Sequence, residues 1–172
     1  MNIRSRAPLR ISFAGGGTDV PPYVDEHGGC VLSTTINRYA WVSLDVDANQ
    51  DGVLAHSLDM GVDVHWPLHA PLAFDDRLPL VTAALRAVHS HFPQEYALEM
   101  YLHSDTEPGS GLGASSALMV AMLGAFRHWL HLPWSRYDLA HMAFHAERVD
   151  MGSKGGLQDQ YAAAFGGFNF IE

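Results

Sequence analysis

Apolar and polar positions alternate through residues 9–14, "LRISFA", a pattern that predicts a strand emptying into the turn Gly15-Gly16-Gly17. Residues 30–46, "CVLSTTINRYAWVSLDV", are rich in β-branched and aromatic side chains and predict one long strand or a bulged pair. Two shorter strands, "DGVLAHS" (51–57) and "GVDVHW" (61–66), adjoin turn signals at Asp51-Gly52 and Met60-Gly61. Between 78 and 92 the period lengthens: Leu80, Ala84, Leu85 and Val88 share one face of a helix that must stop before Pro93. Alternation returns in "YALEMYLHS" (96–104) as a further strand. An apolar run from Ala114 to Leu130 predicts a second helix, and Ser135 with Asp138 three residues on predicts the capped start of a third, over 135–150. "LQDQYAAAF" (157–165) reads as a short helix and "GGFNFIE" (166–172) as the opening of a strand. Strands, a helix, a strand and then helices make an α+β layer arrangement rather than a regular βαβ series, within one domain spanning 1–172.

Composition narrows what such a domain does. Hydrophobic content of 48% with 17% charged residues suits a soluble globular chain. Nineteen acids against ten Lys and Arg leave a net charge of −9, which argues against a nucleic-acid or membrane-surface partner. Any anion must therefore be held locally, by backbone amides, a metal or a few placed cations. The one cysteine, Cys30, excludes an intrachain disulfide and is expected as a small buried strand residue in a reducing, cytoplasmic setting. No signal-peptide core and no run of ~18 apolar residues is present. The histidine pairs His89/His91 and His141/His145 lack the carboxylate setting of a zinc motif.

The chemistry concentrates in "HSDTEPGSGLGASSALMVAML" (103–123), where a loop of glycines and serines opens directly into an apolar helix. The first N–H groups of a helix lack intrahelical partners and carry partial positive charge. Glycines ahead of them remove Cβ obstruction and permit positive φ, so several amides converge on one anion, naturally a phosphate. Hydroxyls at Ser110, Ser115 and Ser116 add donors or a Mg²⁺ ligand. No Gly-Lys-Ser/Thr closes the loop, so it is not a Walker A motif, and no acidic residue ends a following strand as a dinucleotide fingerprint requires.

The order Pro108-Gly109-Ser110-Gly111-Leu112-Gly113-Ala114-Ser115-Ser116-Ala117 resembles the phosphate-binding motif of the GHMP kinases, the family of galactokinase, homoserine kinase, mevalonate kinase and phosphomevalonate kinase. Ala114 stands where that motif usually has Ser. "APLRISFAGGGTD" (7–19) resembles the family's substrate-contacting N-terminal motif, and "GGLQDQYAAAFGG" (155–167) its segment with the catalytic aspartate in the sugar-kinase form.

The resemblance implies an N-terminal domain like domain 2 of ribosomal protein S5, with a C-terminal ferredoxin-like domain absent and the chain truncated before it. It implies ATP as phosphoryl donor, held by Pro108–Ser116, and Mg²⁺ between Ser115 and Glu147. Asp159 is then the catalytic carboxylate and Arg10 the cation beside it, while Gly16, Gly17, Thr18 and Asp19 meet sugar hydroxyls. Lys154 is a weaker candidate for added positive charge.

Within the family, the three stretches look closest to bacterial heptose kinases, which phosphorylate C1 of a heptose 7-phosphate on the way to surface polysaccharide. Fucokinase-like sugar-1-kinases are the nearest rival, and a truncated non-catalytic nucleotide- or sugar-binding module is the alternative from another class. A sugar phosphate is thus the expected small-molecule partner, and a bare final strand leaves room for a homodimer.

Overall fold

A computed structural model describes residues 1–46, 51–93 and 95–172. Strand β1 (Asn2–Ala14) starts seven residues before "LRISFA", because Asn2–Pro8 pair antiparallel with Tyr39–Asp45 of β2 (Val31–Val46). The pairing slips between Pro8 and Arg10, so three residues of β2 (Ile36, Asn37 and Arg38) stand opposite Leu9 alone. The long second strand is therefore single and bulged, and bulges of this kind re-aim the side chains beside them. Here the slip lies immediately before Arg10.

Strands β3 (Gly52–Ser57) and β4 (Val62–Trp66) form a hairpin, and β5 (Ala97–Ser104) lies between β2 and β3, antiparallel to the first and parallel to the second. The sheet order is β1-β2-β5-β3-β4, while β6 (Phe168–Ile171) pairs with the N-terminal end of β2. One face carries the core: Ile3, Ala7 and Leu9 from β1, Val42 and Leu44 from β2, Leu98, Met100 and Leu102 from β5.

Helices α2 (Pro79–Val88), α3 (Ala114–Trp129), α4 (Arg136–His145) and α5 (Gln158–Phe165) supply the rest of the packed layer. Helix α3 is apolar nearly all round, with Met119, Met122, Leu123 and Phe126 fully buried, because it runs between the sheet and α2, α4 and α5. Its position is thereby set on every side, which matters for the loop at its N-terminus. The described residues contain no helix long and apolar enough to cross a membrane.

Three features depart from the sequence expectations. A short helix, α1 (Tyr23–His27), fills the stretch after the glycine turn, too brief to show a helical period. Cys30 is exposed rather than buried: it precedes β2, and its N–H and C=O both bond the Thr18 hydroxyl, at 3.1 Å each, instead of a strand partner. The helix expected over 135–150 is α-helical only to His145, and Ala146–Asp150 widen into a π turn.

The start of α4 is a complete capping box. Ser135 Oγ accepts from the Asp138 N–H at 3.2 Å, and Asp138 accepts from the Ser135 N–H and hydroxyl. The Ser135 hydroxyl and N–H hold the Asp138 carboxyl below its ordinary range. A lowered folded-state pKa means that this contribution is present above the ordinary carboxylate range and disappears as pH falls through the lowered value. Asp138→Asn is accordingly expected to flatten the stability curve below about pH 4, read by urea melts between neutral and acid pH.

Candidate active site

The loop between β5 and α3 turns on alternating left-handed glycines, with φ of 82° at Gly109, 73° at Gly111 and 74° at Gly113. Gly113 precedes α3, and no side chain among the described residues caps its start. The first turn also carries no acidic residue. Amide donors of this kind at a helix start suit an anion.

Against this helix end lies an ion pair drawn from opposite ends of the chain. Arg10 Nε donates to Asp159 Oδ1 at 2.7 Å and Nη2 reaches the same oxygen at 2.6 Å, while Nη1 donates to the Gly111 carbonyl at 2.6 Å. The Arg10 backbone N–H donates to the Leu112 carbonyl at 3.0 Å. β1, the glycine loop and α5 therefore converge on one guanidinium. The side chains of Arg10 and Asp159 are 11% and 19% exposed, so the pair is shielded yet reachable. Both Arg10 bonds fall on Oδ1, and Asp159 Oδ2 has no hydrogen-bond partner among the described residues. A Cβ on Gly113 would stand 3.4 Å from Asp159 Cγ and 3.5 Å from Arg10 Cγ, so the pair packs directly on the helix start.

These groups line one end of a cleft of about 370 Å³ that also takes in Pro108, Gly109, Ser110, Ala114 and Ser115. Its other end is bounded by Met60, Leu80 and Leu118 with Ser57, Asp59 and Thr106. That mixed apolar and polar end carried no sequence signal, since its residues come from β3 and the following turn, α2, the loop after β5, and α3. A larger depression of about 1170 Å³ along Leu68–Ala73, with Arg86, Phe92 and Tyr96, has neither the glycine loop nor the carboxylate–guanidinium pair.

Other expected site residues sit differently. Ser116 is fully buried and does not line the cleft; its Oγ accepts from Gln160 Nε2 at 3.1 Å. Leu112 contributes its carbonyl to Arg10 rather than a surface to the cleft. Thr18 spends its hydroxyl on the Gly15 carbonyl, at 2.7 Å, and on Cys30. Asp19 is only 6% exposed, and its Oδ2 accepts from the Gln158 N–H at 2.9 Å, anchoring the start of α5. The Gly16–Asp19 turn therefore adjoins the segment that carries Asp159 without lining the cleft. Lys154 is exposed, and its carbonyl accepts from Arg148 at 3.1 Å.

Glu147 is 2% exposed, not the surface helix residue that an acid beside Arg148 would ordinarily be. Its Oε2 accepts from Gln160 Nε2 at 2.5 Å, and no cationic side chain faces it among the described residues. A desolvated carboxylate without counter-charge is costly, and hard oxygen donors suit Mg²⁺, which takes few protein ligands and most of the rest from phosphates and water. On that chemistry Glu147 is a donor suited to such a cation, although it is not among the residues lining the cleft with Ser115, and no group of three or more His, Cys, Asp or Glu converges among the described residues.

A Cβ on Gly156 would overlap the backbone oxygen and the carboxylate of Asp19. Gly156→Ala is thus expected to cost about 1–3 kcal/mol and to displace the start of α5, whereas Gly17→Ala, where the space is open, should change stability by less than about 0.5 kcal/mol. Paired thermal melts of the two variants check this.

Comparison with known proteins agrees with the geometry. Residues 79–167 match the model of the GHMP kinases N-terminal domain. The chain is 38% identical over 171 residues to a D-glycero-alpha-D-manno-heptose 7-phosphate kinase of Campylobacter jejuni, covering 99% of this chain and 50% of that protein. It is 27% identical over 192 residues to an L-fucokinase/L-fucose-1-P guanylyltransferase of Bacteroides fragilis, covering 99% of this chain and 20% of the relative. A crystal structure described as a D-glycero-D-manno-heptose 1-phosphate kinase from Bacteroides thetaiotaomicron superposes with a TM-score of 0.90 at 38% identity, over 99% of this chain and 55% of that one. Methanococcus jannaschii mevalonate kinase, at 12% identity and a TM-score of 0.82, shares the fold. The chain thus spans about half the length of the Campylobacter protein and of both crystallised kinases. The matched segment contains the glycine loop, Glu147 and Asp159, and on this evidence the chain belongs to the GHMP kinases.

Proposed function

We propose that this chain forms the phosphate-gripping and proton-accepting part of an ATP-dependent sugar kinase, acting on the anomeric hydroxyl of a heptose 7-phosphate. The observation that carries the reading is the Arg10–Asp159 pair packed on the uncapped start of α3, with one carboxylate oxygen left over. The phosphorylated heptose follows from the relatives at 38% identity, whose names differ in where the phosphate lies.

The α3 amides and the glycine loop hold the nucleotide's phosphates, the helix dipole favouring their charge in a chain that is otherwise anionic. Met60, Leu80 and Leu118 give the base an apolar wall, with Asp59 and Thr106 as polar partners. Asp159 Oδ2 orients the sugar hydroxyl. As the sugar oxygen bonds to the γ-phosphorus, the bond from that phosphorus to the β–γ bridging oxygen breaks, ADP leaves, and the hydroxyl proton passes to Oδ2. Arg10 pins one oxygen of Asp159 by its ion pair and so leaves the other turned to the substrate. Glu147 and Ser115 would hold Mg²⁺, which neutralises charge building on the transferring phosphoryl group. Asp19 and the Gly16-Gly17 turn border the sugar.

Asp159→Asn keeps the side chain's shape but removes the proton acceptor. It is expected to lower the rate of ADP release by about 10²–10⁴-fold while leaving nucleotide affinity, measured by calorimetry, close to the unsubstituted value. A variant that retains phosphoryl transfer sinks the assignment. A screen of heptose 7-phosphate against fucose, galactose and mannose is expected to favour the heptose phosphate. Equal use of fucose would place the chain with the fucokinases, and nucleotide binding with no turnover on any sugar would make it a binding module.

A further inference from the structure

Gln160 is fully buried, on the inward side of α5 next to Asp159. Its Nε2 spans two segments at once, at 2.5 Å from Glu147 Oε2 and 3.1 Å from Ser116 Oγ. Its Oε1 is buried with no partner among the described residues. A buried acceptor left in this state is unfavourable. The NH₂ group faces Glu147 Oε2, which accepts from it, and the carbonyl is thereby turned away from both partners. A leucine or methionine would fill the same space without leaving a polar atom unsatisfied. Packing alone does not account for an amide here.

What the amide does is join three parts of the site. Ser116 lies in the first turn of α3, one residue after the cleft-lining Ser115. Glu147 lies in the π turn Ala146–Asp150, whose wider winding interrupts α4 where the carboxylate enters the interior. Asp159 is the chain neighbour of Gln160. With Oε2 occupied by the amide, Glu147 Oε1 has no hydrogen-bond partner among the described residues and is the oxygen available to a cation.

We propose that Gln160 is a positioning residue. Through its amide it holds the Glu147 carboxylate in register with the phosphate-gripping turn of α3, so that the cation and the nucleotide phosphates are held together. The inference rests on the kinase reading above and assigns a residue to which neither the glycine loop nor the acid–base pair pointed.

The test is Mn²⁺ binding to the 172-residue chain with a non-hydrolysable ATP analogue, followed by electron paramagnetic resonance, alongside nucleotide titrations without metal. Gln160→Met, which keeps the volume and removes the amide, is expected to weaken Mn²⁺ affinity about 10–100-fold while metal-free nucleotide affinity stays within about twofold. Should that variant not fold, Ser116→Ala removes a single hydroxyl from the same network and is expected to weaken Mn²⁺ about threefold to tenfold. Mn²⁺ affinity within about twofold of the unsubstituted chain in a folded variant overturns the proposal and makes Gln160 a packing residue. An unsubstituted chain that binds the analogue but no Mn²⁺ also overturns it. If that chain binds neither, the kinase reading falls and takes this inference with it.

Discussion

The Arg10 guanidinium is the point on which the rest of the site depends. It satisfies one oxygen of Asp159 and the carbonyl of Gly111, residues 149 and 101 positions away in the chain. Without it the two elements that must act together would have no shared partner. The arrangement also has a cost to offset: a partly buried carboxylate beside a helix start is tolerable because the guanidinium supplies counter-charge and geometry together. The β2 bulge next to this residue, and the backbone bond from Arg10 to Leu112, hold the arginine at the mouth of the cleft rather than letting it drift with a flat strand.

Around that pair, rigidity comes from two sources of different character. Helix α3 is held by burial on all sides, which is non-directional and strong. Helix α5 is short, and its start is held by directional contacts: Asp19 accepting from Gln158, Gly156 seated against Asp19, and Gln160 bonded to Ser116 and Glu147. The phosphate-facing element is therefore anchored in the core, and the element carrying the carboxylate is keyed onto it by hydrogen bonds. In the proposed reaction this division suits the task. Amides that hold a phosphate must not move, whereas an acid–base residue needs a particular orientation more than depth.

Much of this was legible in the chain because local patterns carry local physics. The period-two and period-3.6 signals recovered the strands and the main helices, and the glycine–serine run before an apolar helix marked the loop whose left-handed glycines lead into α3. Reading Asp159 and Arg10 together depended on resemblance to a family, since nothing in their separation of 149 residues suggests contact. The misreadings have a common cause. Residue type and sequence neighbours suggest a buried Cys30 and a donor hydroxyl at Ser116, but Cys30 is exposed where it meets Thr18, and Ser116 is buried against the Gln160 amide. The apolar end of the cleft was invisible for the same reason, its Met60, Leu80 and Leu118 coming from three separate segments.

By itself, then, the sequence determined the α+β layering, the phosphate-type loop and the residue types available for acid–base and cation chemistry, all of which follow from short-range periodicity and backbone preference. Only the tertiary structure decided which oxygen of Asp159 is free, that Glu147 is shielded from water, and that Gln160 ties the two halves of the site together. Those outcomes are set by where distant segments pack, and no local pattern encodes a distance between them.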